Sequence, residues 1–309
     1  MTRLRCLQRS CLMLAAIAVS AGSTASAQTE TAPRPDFPPH SAVLADYTKV
    51  ISTADGKRSM YTLYKHKTEE KVLAELPASF TAMKYFLALT VAGGDTFAGL
   101  QEGDLYFYWR RYGKRLAMMS PNIDVRSTGD TESKGSVERL FTDRVVLDTP
   151  ILTLGPTGGP VIDLNSLLIS QSSLFFGSSG RFTNPYLTTF KTLKAFPENV
   201  EIAIEGPSSG GFDRISGGRT PSGTLRTLHY SLSVLKPNPK FKPRVADARI
   251  GYFTTSYRDL GKYKDTEVRT RYITRWHLAK RDSSLTLSPP EKPIRFILEQ
   301  SVPVRYRRW

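Results

Sequence analysis

The chain has 309 residues, 40% of them hydrophobic, with 43 Lys+Arg against 28 Asp+Glu and a formal net charge of +15. Its two cysteines, Cys6 and Cys11, both lie in a leader expected to be removed. Disulfides, thiol chemistry and cysteine metal ligands are therefore excluded from the mature protein, whose stability must come from a conventional core.

Met1 to Ala27 reads as a signal peptide. Arg3, Arg5 and Arg9 form a basic head, and Cys11 to Val19 an apolar core too short to span a bilayer. Ala25-Ser26-Ala27 supplies the small residues for cleavage between Ala27 and Gln28. The expected location is periplasmic or secreted, and no later stretch is long and apolar enough to cross a membrane. Residues 28–58 read as a flexible lead, proline-rich and polar over Thr29 to Pro39.

From residue 59 to 235 the pattern predicts a mainly β domain, an antiparallel meander with a few short helices. Met60, Thr62 and Tyr64 alternate with Tyr61, Leu63 and Lys65, and Val72, Ala74 and Leu76 form a second run. Met83, Tyr85, Leu87, Leu89 and Val91 form a third, followed by Leu105 to Trp109 and Arg115 to Met119. Breaks at Pro77, Gly93-Gly94, Glu102-Gly103-Asp104 and Tyr112-Gly113-Lys114 read as hairpin turns. Strand character continues over Ser136 to Leu147. The loop Gly155 to Pro160 lacks the Gly-Lys-Ser/Thr of a phosphate cradle and reads as a turn. Asp163 is expected to cap a short helix to Leu168, and Asn184-Pro185 to open another with Leu187, Phe190 and Leu193 on one face. Strands resume at Val200 to Glu205 and Thr224 to Leu235, joined by a Gly/Ser-rich connection, Gly206 to Gly223, expected to be mobile.

Residues 236–290 read as a basic, strand-rich connector, extended over Lys236 to Pro243 and strand-like over Val245 to Tyr257 and Val268 to Ala279. In 291–309, Ile294, Phe296 and Leu298 alternate as a strand, and Val302, Tyr306 and Trp309 share one helical face. That face is only about two turns long, marginal for a helix on its own, so the chain reads as the front part of a longer protein. Charge is uneven: residues 28–235 carry 22 Lys+Arg against 21 Asp+Glu, whereas residues 236–309 carry 18 against 7, a net of +11. Such a segment suits an acidic protein or envelope surface, or is simply a solvated basic surface; no nucleic-acid-binding signal accompanies it.

Four stretches carry a resemblance. They are His229 to Leu232 with Pro237, Pro239 and Pro243-Arg244 behind it, Asp247 to Thr254, Tyr272 to Leu278, and Pro293 to Glu299 with Val302 to Trp309. Together, in this order, they resemble the domain of unknown function that precedes the catalytic domain in bacterial zinc-dependent, metzincin-like metalloproteases, and the opening strand and helix of that catalytic domain. The likeness runs from Arg58 to Trp309 and is densest after Thr224. It implies that the chain is the non-catalytic amino-terminal region of an exported metalloprotease, that its partner is the downstream protease domain, and that zinc is expected only there. The departure is the zinc motif. Two histidines four apart with a glutamate beside the first are needed to bind the metal and activate its water, and none of His40, His66, His229 or His277 has such neighbours. No catalytic, cofactor-binding or metal residue is therefore assigned, and the chain alone is expected to be inactive.

Convergence of His66, His229 and His277 on another metal has no spacing to support it, and hydrogen-bonded sheet histidines are expected instead. No Gly-x-Ser-x-Gly elbow occurs, and Gly177-Ser178-Ser179-Gly180 reads as a loop. Tyr106 to Trp109 suits a central strand with half of it in the core better than a sugar- or peptide-stacking platform. The alternative function is a free-standing exported module that binds envelope polymer or protein.

Overall fold

A computed structural model describes residues 36–309 except 54, 97, 212–217, 263–267, 297, 299–301 and 308–309. The signal peptide, its Ala27–Gln28 cleavage site and the start of the lead lie outside the described residues. So do Ile297, Glu299 and Trp309 of the expected terminal strand and helix, and the centre of the Gly206–Gly223 connection.

After Phe37 come α1 (His40–Val43), a single turn, then β1 (Tyr47–Lys49), β2 (Thr62–His66) and β3 (Val72–Glu75). Next follow β4 (Tyr85–Gly93), β5 (Gln101–Tyr112), β6 (Arg115–Ser120), β7 (Val125–Arg126), α2 (Thr131–Leu140) and β8 (Arg144–Pro150). The hairpin β9 (Thr153–Leu154) and β10 (Pro160–Asp163) leads to α3 (Ser172–Phe176). Then come β11 (Thr189–Ala195), β12 (Asn199–Ser208), β13 (Thr224–Val234), β14 (Thr254–Asp259) and β15 (Arg269–Ile273).

The protein is mainly β, as the alternation predicts. The larger sheet has seven antiparallel strands in the order β11-β12-β13-β4-β5-β6-β8, and the second has five in the order β1-β2-β3-β10-β9. A third, small sheet runs β15-β14-β7, with β14 antiparallel to β15 and parallel to β7. In β4 the apolar set Tyr85, Leu87, Leu89 and Val91 is buried, while its neighbours on the other face are not. Those side chains join Phe107, Trp109, Leu228 and Tyr230 of the larger sheet and Leu63, Val72, Ala74 and Ile162 of the second in one core. Each large side chain buried there contributes about 1.5–3 kcal/mol.

Several local expectations hold. Gly113 turns β5 into β6 with φ 56°, the left-handed region where glycine carries no Cβ penalty. Asp163 accepts the Asn165 N–H at 2.8 Å and opens a π-helical turn, Asn165–Ile169, that buries Leu167, Leu168 and Ile169. The loop Gly155 to Pro160 is the β9–β10 turn, and Gly159 packs so close that a Cβ there would sit 1.9 Å from the Leu76 carbonyl oxygen.

Others are corrected. The strand expected over Ser136 to Leu147 begins only at Arg144, because Asp130 accepts the Ser133 N–H at 2.8 Å and caps α2. Glu132 in its first turn and Arg139 in its last favour the helix dipole. Glu102-Gly103-Asp104 is not a turn but part of β5, with Gly103 opposite Leu89. Pro77 marks a change of sheet, since β3 and β4 do not pair. The helix expected from Asn184 stops after one 3-10 turn, Pro185–Leu187, with Asn184 accepting the Tyr186 N–H at 3.0 Å. The β-branched Thr188, Thr189 and Thr192 favour the pleat, and Phe190 and Leu193 go into β11. Ser208 pairs with Thr224, so the connection after Gly206 begins three residues late. The described residues of 293–298 form no strand, and Val304–Tyr306 form a single 3-10 turn.

The segments 28–58 and 236–290 both contribute to sheets. Tyr47–Lys49 pairs with β2, and the Thr153 hydroxyl donates to the Pro38 carbonyl at 2.7 Å. Through β7, the strands β14 and β15 are joined to the chain between β6 and α2.

Candidate functional site

A groove of ≈ 670 Å³ lies between α2, β7 and the outward face of β5, β6 and β8. Met119, Val137, Phe141 and Val145 supply its apolar surface, and Arg110, Arg126 and Lys134 its cationic groups. Beside it the Tyr108 hydroxyl donates to Asp143 Oδ2 at 2.5 Å, and the Asn122 N–H donates to Asp143 Oδ1 at 2.9 Å. Burial pushes the Asp143 carboxyl up, but the hydrogen bonds from Tyr108 and Asn122, with Lys84 and Arg110 nearby, hold it below its usual range. Tyr108 is pushed up to about 12, first by that hydrogen bond and then by burial. At neutral pH Asp143 is thus an ionised acceptor and Tyr108 a protonated donor, with Lys84 Nζ 3.8 Å from the Tyr108 ring centroid. The pair holds a fixed charge pattern and does not supply a group that changes protonation near pH 7.

The third sheet is tied down by Asp259, which is 1% exposed. Its carboxylate accepts the Thr128 N–H at 2.9 Å, the Thr128 hydroxyl at 2.7 Å and the Gly261 N–H at 3.1 Å. On the same side the Arg126 guanidinium lies 3.4 Å over the Tyr257 ring. Next to β15, residues 245–252 border a second hollow of ≈ 340 Å³.

The four histidines stay apart. His40 Nε2 lies 3.2 Å from Glu75, and His66 Nδ1 accepts the backbone N–H groups of Thr68 and Glu69 at 3.3 and 3.0 Å. His229 Nε2 lies 2.9 Å from Glu201, and His277 Nδ1 lies 2.7 Å from Asn238 Nδ2. His66 and His229 are sheet histidines, on β2 and β13 in different sheets; His277 follows β15 outside any strand. Among the described residues no group of three or more His, Cys, Asp or Glu side chains could hold a metal ion, so they do not fit a zinc ion. Of the aromatic run, Phe107 and Trp109 are in the core and Tyr106 and Tyr108 are not. Gly177 to Gly180 is a loop with a 3-10 turn. Sequence reasoning missed the α2 groove altogether; the available signal was Asp130 ahead of the polar run Thr131 to Ser136.

Residues 99–281 match the family described as Domain of unknown function (DUF5117). The chain belongs to this family. No curated protein and no solved structure matches it. The DUF5117 match contains the groove and the third sheet but omits β4, the strand that lies between β13 and β5. It also omits β2 and β3, which close the core from the other side. In this chain the matched region therefore shares its larger sheet and its core with residues before position 99.

Proposed function

We propose that this DUF5117 chain is the non-catalytic, β-rich amino-terminal region of an exported zinc-dependent metalloprotease, and that residues 236–290 pack on its protease domain, whose opening strand and helix begin within 291–309. One observation carries the reading. Among the described residues after 235, only Tyr257, Asp259 and Thr270 are buried, while Phe253 and Phe296 are each 90% exposed, Leu287 89% and Trp276 69%. A stretch with so little core of its own and so much exposed apolar surface is the signature of an interface. Its net charge of +11 adds that the partner surface is acidic. The four sequence stretches named above support the same partner, whose zinc and catalytic groups belong to that domain.

The test begins with the reading frame after codon 309. The expected outcome is an open frame encoding a helix with the H-E-x-x-H motif. The domain from residue 291 onward, expressed separately, should co-elute with purified 28–290 in gel filtration, and Trp276→Ser should abolish co-elution. The chain alone should show no peptidase activity with added zinc. A stop codon at position 310, or zinc-dependent cleavage by purified 28–309, overturns the proposal. The groove of ≈ 670 Å³ favours a second reading, a free-standing module that binds envelope polymer or protein, because its size and mixed lining suit a ligand. A stop codon would point to that reading.

A further inference from the structure

The register of β14 and β15 sets two guanidinium groups against each other. Arg258 pairs with Arg269 and Ser256 with Arg271, and directly opposed residues of antiparallel strands project to the same face. Tyr257, Thr270 and Asp259 take the other face, which is the buried one. Arg258 and Arg269 are exposed, and neither forms an ion pair with a described residue. Like charges placed directly opposite destabilise a sheet. The same arrangement offers a carboxylate two planar donor forks at once.

The neighbouring hollow adds an apolar component. Residues 244–246 run along β15, with the Ala246 N–H donating to the Arg271 carbonyl and the Ile273 N–H to the Arg244 carbonyl, each at 2.9 Å. From there the chain to Tyr252 encloses ≈ 340 Å³ against Arg269–Arg271. Val245, Ile250 and Tyr252 line it, exposed by 70, 54 and 44%. Among the described residues the one carboxylate in its lining, Asp247, is held by Arg249 through two contacts, Nε to Oδ1 at 3.0 Å and Nη2 to Oδ2 at 2.6 Å. It is therefore spent before any ligand arrives.

We propose that this face binds an acidic peptide segment with an apolar anchor: a carboxylate bridges Arg258 and Arg269, and an adjacent apolar side chain enters the hollow. The inference deepens the docking reading above and rests on it for the acidic character of the partner. A peptide fits better than an anionic polymer, because a polyphosphate or sulfated chain has nothing to bury against Val245, Ile250 and Tyr252.

The test is fluorescence anisotropy of the purified chain with a dye-labelled peptide of alternating Glu and Leu. Saturable binding is expected, weakened about tenfold or more by Arg269→Glu and by less than about twofold by Arg281→Glu, which makes the same charge change outside both strands. A Glu–Ser peptide should bind about tenfold more weakly than Glu–Leu. Arg269→Glu also gives Arg258 a partner, so its melting temperature should equal or exceed that of the parent; lower affinity with a higher melting point excludes misfolding as the cause. Equal weakening by Arg269→Glu and Arg281→Glu overturns the proposal, as does equal binding of the Glu–Ser peptide or tighter binding of polyphosphate. Failure of the peptide with the protease domain still co-eluting removes this site and leaves the docking reading. Peptide binding without co-elution removes the docking reading instead.

Discussion

The Trp109 indole N–H donates to the Tyr61 hydroxyl at 2.8 Å, inside the core between the two larger sheets. Trp109 comes from β5 and Tyr61 from the residue pair that leads into β2, so this buried polar contact helps tie the two layers. The Tyr61 ring stands edge-on to Tyr85 at 5.7 Å, and burial pushes its hydroxyl far above the usual tyrosine range. Tyr61→Phe keeps the ring and removes the acceptor, leaving a buried indole N–H alone. Stability should fall by about 1–3 kcal/mol, read as a lower urea midpoint at unchanged slope. An unchanged midpoint would mean that another acceptor replaces the hydroxyl.

Asp259 sets an acid limit on the third sheet. Burial pushes its carboxyl up, but the Thr128 N–H and hydroxyl, the Gly261 N–H and the Lys262 charge outweigh it and hold the carboxyl below its usual range. Glu201 is likewise held low by His229, Asn199 and Ser231 against the opposing effect of burial. A carboxyl depressed in the folded state takes up protons more readily when unfolded, so its contribution is complete above the unfolded value and is lost as pH falls through the folded one. Stability measured by urea unfolding should hold from pH 7 to about 5 and fall below about pH 4. Asp259→Ala should flatten that acid slope and cost about 1–3 kcal/mol at pH 7, since it leaves the Thr128 N–H without its acceptor. A slope identical to that of the parent would show that other groups set it.

Two glycines should respond in opposite directions to the same change. Gly159→Ala drives a methyl group to within 1.9 Å of the Leu76 carbonyl oxygen, where β10 meets the end of β3, so backbone must move. Gly135 lies within α2 with nothing near its would-be Cβ. Gly135→Ala should therefore stabilise by about 0.5–1 kcal/mol through helix propensity. Paired melting curves check both signs; a neutral Gly159→Ala would show that the β9–β10 turn yields.

The family match itself makes a prediction. Residues 99–281 expressed alone lack β4, leaving β13 and β5 without the strand that joins them. Such a piece should be insoluble or should bind hydrophobic dye, whereas 37–309 should show one cooperative transition, because Phe37–Trp309 form one compact unit. A folded, cooperatively melting 99–281 would mean that the sheet closes without β4.

Local pattern read strands well where one face is buried, because a period of two in apolar residues leaves no other way to hide them. Residues 83–91 and 105–119 are such cases. It misread α2, whose one buried residue is Val137 and which is held by its cap and by what it covers, not by an apolar stripe. It also misread 184–193, where spacing allowed a helical face but β12 offered a strand partner.

By itself the sequence determined the mainly β class, the strands of the larger sheet's centre, the absence of any histidine pair spaced for zinc, and the concentration of positive charge after residue 235. Those are properties of composition and period, which a chain carries before it folds. Only the tertiary structure decided that β3 and β4 part company, that β10 returns beside β3, and that Arg258 faces Arg269. Pairing across tens of residues depends on which strand edges meet, and a slip of one residue in β15 would carry Arg269 to the opposite face.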